Sequence, residues 1–509
     1  MAGSSSKRII INTCAQYVRT ILSMVLALVA TRVILKSLGV EDYGIYSVVA
    51  GAVSILSFLT SSLVITTQRY LSVSQGKQDV ERSRSIFNNS IFLHIIITAI
   101  VVVLLEILYI FLFNGLLNIP DAKIHSAKLL YQFVTVVLCL TFLTSPYRAV
   151  VVSHENIVYI SVIETIDAIL KLLIAYSLFL LSGDKLVIYG ALLMLIQVFN
   201  LVALGIYSYA RYEECGRIKL SDFDSSFVKK MFSFAGWTMY NIVCNLGRTQ
   251  GIAIGLNKFH GAAINASYGL AFQVSGALSN VSQSLLNAIN PQLMKAEGAG
   301  DRAKMLRFAE IESKFAFFLL SALAIPCVFE MPRLLELWLG QVPENAVLFC
   351  RMVVLAALTD TMTTGLGSAN QAEGNIRNYT LTICSIKLLT LPAVIILLLI
   401  GADMIWIAIC YVGFEFISSL LRIPFLANTT GLSIKGFIER VLIKEIVPTT
   451  GLVIFCFLMI FFVDNVYRFI GTFAIGILLY ILLIGILGLC KDEKELLKHY
   501  ISLIINNIK

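Results

Sequence analysis

The chain has 509 residues, of which 58% are hydrophobic and only 14% charged, and its formal net charge is +8. Soluble domains carry about 45–50% apolar and about 25% charged residues, so this composition excludes a soluble enzyme and predicts an all-α, polytopic membrane protein. The positive balance is read as loops facing anionic lipid rather than as a nucleic-acid footprint, and no nucleic-acid partner is expected.

The opening stretch "MAGSSSKRIIINTCAQYVRT" leads into an apolar run long enough to span a bilayer, with no small-residue cleavage site to close it. A retained first helix is expected. Fourteen spans follow from the pattern, at about 9–36, 43–71, 87–113, 127–150, 157–181, 186–210, 230–256, 262–290, 304–328, 346–370, 378–400, 403–427, 446–463 and 468–489. The first, seventh and eighth carry polar residues deep inside. Loops after even-numbered spans are basic, with Arg82 and Arg84, then Arg211, Arg217, Lys219, Lys229 and Lys230, then Lys295, Arg302, Lys304 and Arg307, then Lys435, Arg440 and Lys444. The positive-inside rule then places both termini in the cytoplasm. The ten cysteines form no C-x-x-C pair and no metal-spaced cluster, so they are read as small core residues and no metal is expected.

A repeat organises these spans. Shifting the chain by 222 superposes 36–79 on 258–301 without a gap, with identity at ten of 44 positions. Lys36 falls on Lys258, Gly39 on Gly261, Tyr46 on Tyr268, Gly76 on Gly298 and Asp79 on Asp301. Chance alignment of apolar helices favours Leu on Leu, not Gly and Asp in loops. Spans one and two thus correspond to spans seven and eight. An offset of six spans preserves orientation, which predicts a parallel repeat. The expected organisation is a first lobe of six helices (1–211), a cytoplasmic linker (212–229), a second lobe (230–427), and two further helices with a cytoplasmic tail (428–509).

The stretches "LGVEDYGIYSVVAGAVSILSFL", "TTQRYLSVSQGKQD" and "NPQLMKAEGAGD" resemble the polysaccharide flippases related to O-antigen transporters. These belong to the superfamily of multidrug and oligosaccharidyl-lipid exporters. The resemblance covers about residues 5–427. It implies two six-helix lobes in a V, alternating access, and residence in a bacterial cytoplasmic membrane. The implied cargo is an undecaprenyl-pyrophosphate-linked glycan, turned from the cytoplasmic to the periplasmic leaflet. Implied partners are membrane lipid and other polysaccharide-assembly proteins. No cofactor is implied beyond Na+ or H+ as a coupling ion. Spans thirteen and fourteen exceed the twelve-helix core; in similar lipid II flippases such a pair forms a groove for the lipid tail.

Charges at bilayer depth are costly and tend to face a cavity or a partner. In span one, Asn12, Gln16, Arg19 and Ser23 share one helix face. A guanidinium suits phosphate because it stays charged and offers forked donors. The alternative is a structural arginine paired with an acid of a neighbouring helix. In span seven, Trp237, Asn241, Asn245 and Arg248 form one stripe, and span eight adds Gln273, Asn280 and Asn287. Amides and an aromatic suit sugar hydroxyls and rings; interhelical packing is the competing reading. Span five holds Glu164, Asp167 and Lys171. If Lys171 neutralises one carboxylate, a proton on the other makes an ion or proton relay; a self-satisfied cluster is the alternative. Asp360, Lys387 and Glu415, near mid-depth in spans ten to twelve, are candidates for the second lobe's charge network. Glu41 and Asp42 are read as helix caps, and Pro291 as the end of span eight.

Three functions compete. A flippase of lipid-linked oligosaccharide fits a basic cleft and needs no ATPase, and there is no G-x-x-x-x-G-K-[ST] run. An ion-coupled multidrug exporter of the same superfamily is kept open by Asp360 and Glu164. A membrane glycosyltransferase or polymerase is disfavoured by short outer loops and by the absence of a His–acid motif.

Overall fold

The computed structural model describes residues 2–116, 120–216, 223–463, 465 and 467–495, and places no strand among them. The helices are α1 (Ala2–Leu38), α2 (Val40–Ser54), α3 (Phe58–Gly76), α4 (Val80–Phe111), α5 (Ile124–Ser153), α6 (Ile157–Ser177), α7 (Lys185–Arg211), α8 (Ser225–His260), α9 (Ala262–Gly298), α10 (Arg302–Leu339), α11 (Ala346–Thr361), α12 (Thr364–Glu373), α13 (Ile376–Leu399), α14 (Met404–Thr430), α15 (Ile434–Phe437), α16 (Ile443–Phe462) and α17 (Arg468–Leu483). Arg217 and Lys219 of the linker, and the tail beyond residue 495, lie outside the described residues.

Among the described residues, nine helices are long and apolar enough to cross a membrane, or up to eleven if two bent pairs each count as one span. The pairs are α2 with α3, bent by 42°, and α11 with α12, bent by 48°. The three remaining segments of the fourteen expected from sequence are helical too, as α6, α8 and α9. They fall short of the apolar criterion because α6 carries Glu164, Asp167 and Lys171, and α8 and α9 carry the amide stripes.

The chain divides into two compact units, Met1–Tyr240 with Met294–Asp301, and Asn241–Leu293 with Arg302–Lys509. The junctions fall inside α8, inside α9, and between α9 and α10. In the first unit α5 packs along α7, α1 along α6, and α3 and α4 against α5. Its core is built around Leu63, Leu105, Leu130, Tyr131 and Phe142. Glu214, buried in the linker, accepts from His154 Nε2 at 2.5 Å. Burial pushes its carboxyl up, but the bond to and charge of His154 outweigh that and hold it below the ordinary value.

In the second unit α10 is central, packed on α11, α12, α16 and α17. Tyr480 of α17 is fully buried, and its hydroxyl lies 2.7 Å from Ser321 Oγ and 2.8 Å from Thr449 Oγ1. The two helices beyond the expected lobe therefore belong to this unit's core. Behind them, Lys314 of α10 is wholly buried and bonds Glu493 at 2.7 and 2.6 Å.

The repeat is visible in backbone detail. Gly39 and Gly261 stand at φ +85° and +84°, the left-handed conformation that glycine adopts without penalty. Each donates its N–H four residues back, to Leu35 and Asn257, and each carbonyl accepts four residues on, from Tyr43 and Asn265. The ends of α3 and α9 match as well: Asp79 N–H meets Ser74 O, and Asp301 N–H meets Ala296 O. These two ends cross. A Cβ on Gly76 would sit 2.1 Å from Lys295 O, and one on Gly298 would sit 2.1 Å from Val73 O. Since 73 and 295 also differ by 222, the crossing itself obeys the repeat.

One local reading is corrected. Pro291 does not end span eight; α9 continues to Gly298. A proline removes only one helix hydrogen bond, and the last turn is held by the α3 crossing. Glu41 and Asp42 both stand in the first turn of α2, and Asp42 is also ion-paired to Lys123 at 2.8 Å.

Gly76→Val and Gly298→Val are each expected to destabilise the protein by about 1–3 kcal/mol through backbone overlap. Gly44→Val, where no atom lies within 4 Å of the added Cβ, serves as the control. Thermal unfolding of the detergent-purified variants measures this, and equal melting of all three would contradict the crossing.

Candidate functional site

Each unit carries an ionic cluster on its membrane-spanning helices. In the first unit, α1 lies along α6. This turns the polar face of α1 toward α6, so Asn12 and Gln16 are buried and Asn12 donates to Glu155 O at 2.7 Å. One turn on, Arg19 pairs with Glu164 of α6, and Arg148 of α5 takes the second carboxylate oxygen at 2.6 Å. The site is partly open, since the side chains of Arg19, Glu164 and Arg148 are 26%, 25% and 40% exposed. The next turn of α6 holds Asp167, bound by Lys171 at 2.7 Å and by Asn200 of α7 at 2.8 Å.

Lys171 thus neutralises one carboxylate, as its spacing suggests. Glu164 differs from the sequence reading. Each of its oxygens is taken by a guanidinium rather than left for a proton.

In the second unit the cluster spans α8, α11, α13 and α14. Arg248 Nη1 bonds Glu415 Oε2 at 2.5 Å, and its guanidinium lies 4.7 Å from the Tyr411 ring centre. Lys387 bridges Glu415 and Asp360, reaching Asp360 at 2.7 Å. Arg422 pairs with the same Asp360 side chain. An amide chain continues from the other end: Arg248 donates to Asn245 at 3.2 Å and Asn245 to Asn241 at 3.4 Å.

The helix break between α11 and α12 explains why this cluster forms where it does. Ending α11 frees the carbonyls of its last turn, which cannot stay unsatisfied at bilayer depth. Side chains of α14 meet them: Ser419 Oγ donates to Thr359 O at 2.6 Å and Arg422 to Asp360 O at 3.1 Å.

Arg248 is only 5% exposed. The stripe on α8 therefore does not end in a cation facing water, because Glu415 closes over it. The amides before it remain accessible: Asn245, Gln273 and Asn280 are exposed, and Trp237, Asn241 and Asn287 partly so. Among the described residues Gln273 and Asn280 join neither cluster, and the Asn287 side chain bonds Gln283, at 3.3 Å. Two contributors escaped the sequence reading, Arg148 and Arg422. Both sit near span ends, where an arginine is ordinarily explained by snorkelling.

The clusters occupy corresponding segments. The first, fourth and fifth of each unit contribute (α1, α5 and α6; α8, α11 and α13), and the second adds its sixth, α14. The charge on the fifth segment is reversed between them, Glu164 in the first and Lys387 in the second. Among the described residues no group of three or more His, Cys, Asp or Glu could hold a metal ion.

The family described as polysaccharide biosynthesis protein matches residues 5–297. The chain belongs to that family. An uncharacterized membrane protein, EpsK of Bacillus subtilis (strain 168), is 20% identical over 336 residues. That match spans 65% of this chain and 65% of the relative's own length. Among solved structures, MATE in the straight conformation superposes with a TM-score of 0.71 at 12% identity, covering 86% of this chain and 97% of that one. MATE in the bent conformation gives 0.72 at 11% identity, covering 86% and 96%. A MOP superfamily transporter from Pyrococcus furiosus gives 0.68 at 11%, covering 85% and 96%. At these identities the likeness establishes the fold. The chain is thus a multi-pass membrane protein of a polysaccharide-biosynthesis family with a transporter fold.

Removing one partner of the buried second-unit pair leaves an uncompensated charge, which costs about 3–5 kcal/mol. Glu415→Ala is therefore expected to lower the melting temperature more than Glu164→Ala, whose neighbours are a quarter exposed or more. The double variant Arg248→Met/Glu415→Met should recover stability relative to Glu415→Ala. A melt in which Glu164→Ala is the more damaging would contradict this ranking.

Proposed function

We propose that the protein is a flippase that moves an undecaprenyl-pyrophosphate-linked oligosaccharide from the cytoplasmic to the periplasmic leaflet of a bacterial cytoplasmic membrane by alternating access, with both termini cytoplasmic. One observation carries this reading. In both clusters cations outnumber acids by one, with Arg19 and Arg148 against Glu164, and Arg248, Lys387 and Arg422 against Asp360 and Glu415. Such surplus charge inside spanning helices is costly and suits an anionic cargo. A pocket for cationic drugs calls for the opposite balance, which ranks the multidrug-exporter reading second.

Arg19 and Arg148 are the partly exposed guanidiniums, and forked donors match a diphosphate. When the diphosphate takes them, Glu164 loses both partners. It then needs a cation, which is how this reading accommodates H+ or Na+ coupling. In the second unit Arg248 acts through Glu415 and Lys387, and the accessible amides Asn241, Asn245, Gln273, Asn280 and Asn287, with Trp237, are assigned to glycan. An inside-negative potential favours outward movement of the anion by roughly 2.3 kcal/mol per charge per 100 mV.

Transport of fluorescent undecaprenyl-diphosphate oligosaccharide in proteoliposomes tests the reading. Arg19→Ala is expected to cut the rate on the order of a hundredfold, two lost charge-assisted bonds, while Arg32→Ala, an exposed arginine farther along α1, leaves it unchanged. Full activity of Arg19→Ala, or transport of cationic drugs but not of this cargo, would overturn it.

A further inference from the structure

The second unit contains a cavity of about 640 Å³ that the transport reading does not use. It lies where the end of α10, the start of α11, the end of α16 and the start of α17 meet. Its lining brings together Arg333, Arg351 and Arg468, with the carboxylate of Glu336, beside Phe329, Val342 and Ile460. The loops at this end are those the sequence reading finds poor in cations, so three converging guanidiniums need a reason.

The arginines are unequally compensated. Arg468 is held fork to fork by Glu330, Nε to Oε1 at 3.0 Å and Nη2 to Oε2 at 3.1 Å, so it is fixed and locally neutralised. Arg333 reaches Glu336 at 2.6 Å, but that carboxylate is 54% exposed, and the buried Arg333 Nε has no hydrogen-bond partner among the described residues. Arg351 donates Nε to Val328 O at 2.9 Å and meets no carboxylate among the described residues. Asp464, in the loop between α16 and α17, lies outside those residues. The Nη groups of Arg351 therefore have no partner among the described residues, in a cavity whose wall is partly apolar.

The surroundings set its depth. Trp338 and Tyr467 are 53% and 70% exposed around this end. Exposed Trp and Tyr mark the level of lipid headgroups. Guanidiniums at headgroup depth, with apolar walls beneath, match a phosphate attached to a lipid.

We propose that this cavity binds the phosphate of a membrane phospholipid, with Arg351 and Arg333 as its ligands and Arg468 as a fixed positive wall. The site is separate from both ionic clusters and stands whether or not the cargo assignment holds.

Native mass spectrometry of the detergent-purified full-length protein tests it. Phosphatidylglycerol, diacylglycerol with the same acyl chains and inorganic phosphate are the probes. Wild type is expected to retain phosphatidylglycerol and not diacylglycerol. Retention should fall about tenfold in Arg351→Gln and further in Arg333→Gln/Arg351→Gln, one charge-assisted bond per step. Lys435→Gln, at an exposed cation elsewhere in this unit, should match wild type, and Arg351→Lys should retain an intermediate amount. Equal retention by wild type and the double variant overturns the site. Displacement of the lipid by inorganic phosphate overturns the lipid as its source. If the double variant does not fold, quenching of Trp338 by brominated phosphatidylglycerol in wild type, referenced to Trp338→Phe, decides instead. Quenching no greater than by brominated diacylglycerol overturns the proposal.

Discussion

A guanidinium at bilayer depth must be satisfied by the protein, because no water is there to do it. That constraint organises both units. In the second, the freed carbonyls of the α11/α12 break, the carboxylates of Asp360 and Glu415, and the three cations of α8, α13 and α14 answer one another. In the first, one carboxylate on α6 is shared by arginines from α1 and α5. Helix order in each unit follows from these requirements as much as from apolar packing. A helix bearing Arg248 has to lie where α14 can offer Glu415.

The same requirement explains the asymmetry that has grown over the repeat. Helix entrances and exits have kept their backbone conformations, down to the hydrogen bonds around Gly39 and Gly261. The charged interiors have diverged. The first-unit cluster is partly open and small, whereas the second is larger, drier at Arg248 and open mainly at Asp360, whose side chain is 38% exposed. On the proposed function, a cargo with a diphosphate at one end and a glycan at the other has no use for two identical walls.

Much of this was legible in the sequence, for physical reasons. Apolar runs of spanning length fixed the helices, and glycine at a left-handed cap survived as an identity across the repeat. Asp360, Lys387 and Glu415 stood out because ionisable groups are rare in such runs. Pairing was not legible. Periodicity identifies the face that carries Arg248, but not whether that face meets water or α14. The bend after Thr361 was hidden because no proline marks it; it is sustained by Ser419 and Arg422, sixty residues away. Arg148 and Arg422 were hidden by their position near span ends.

On the proposed function, surplus guanidinium charge in the first unit receives the diphosphate in competition with Glu164. The decisive measurement is affinity for undecaprenyl-diphosphate oligosaccharide in detergent across a charge ladder of Arg148→Gln, wild type and Glu164→Gln. Binding is expected to be weaker in the first by about tenfold and tighter in the last, because two guanidiniums are released. Unchanged or weaker binding by Glu164→Gln would contradict it.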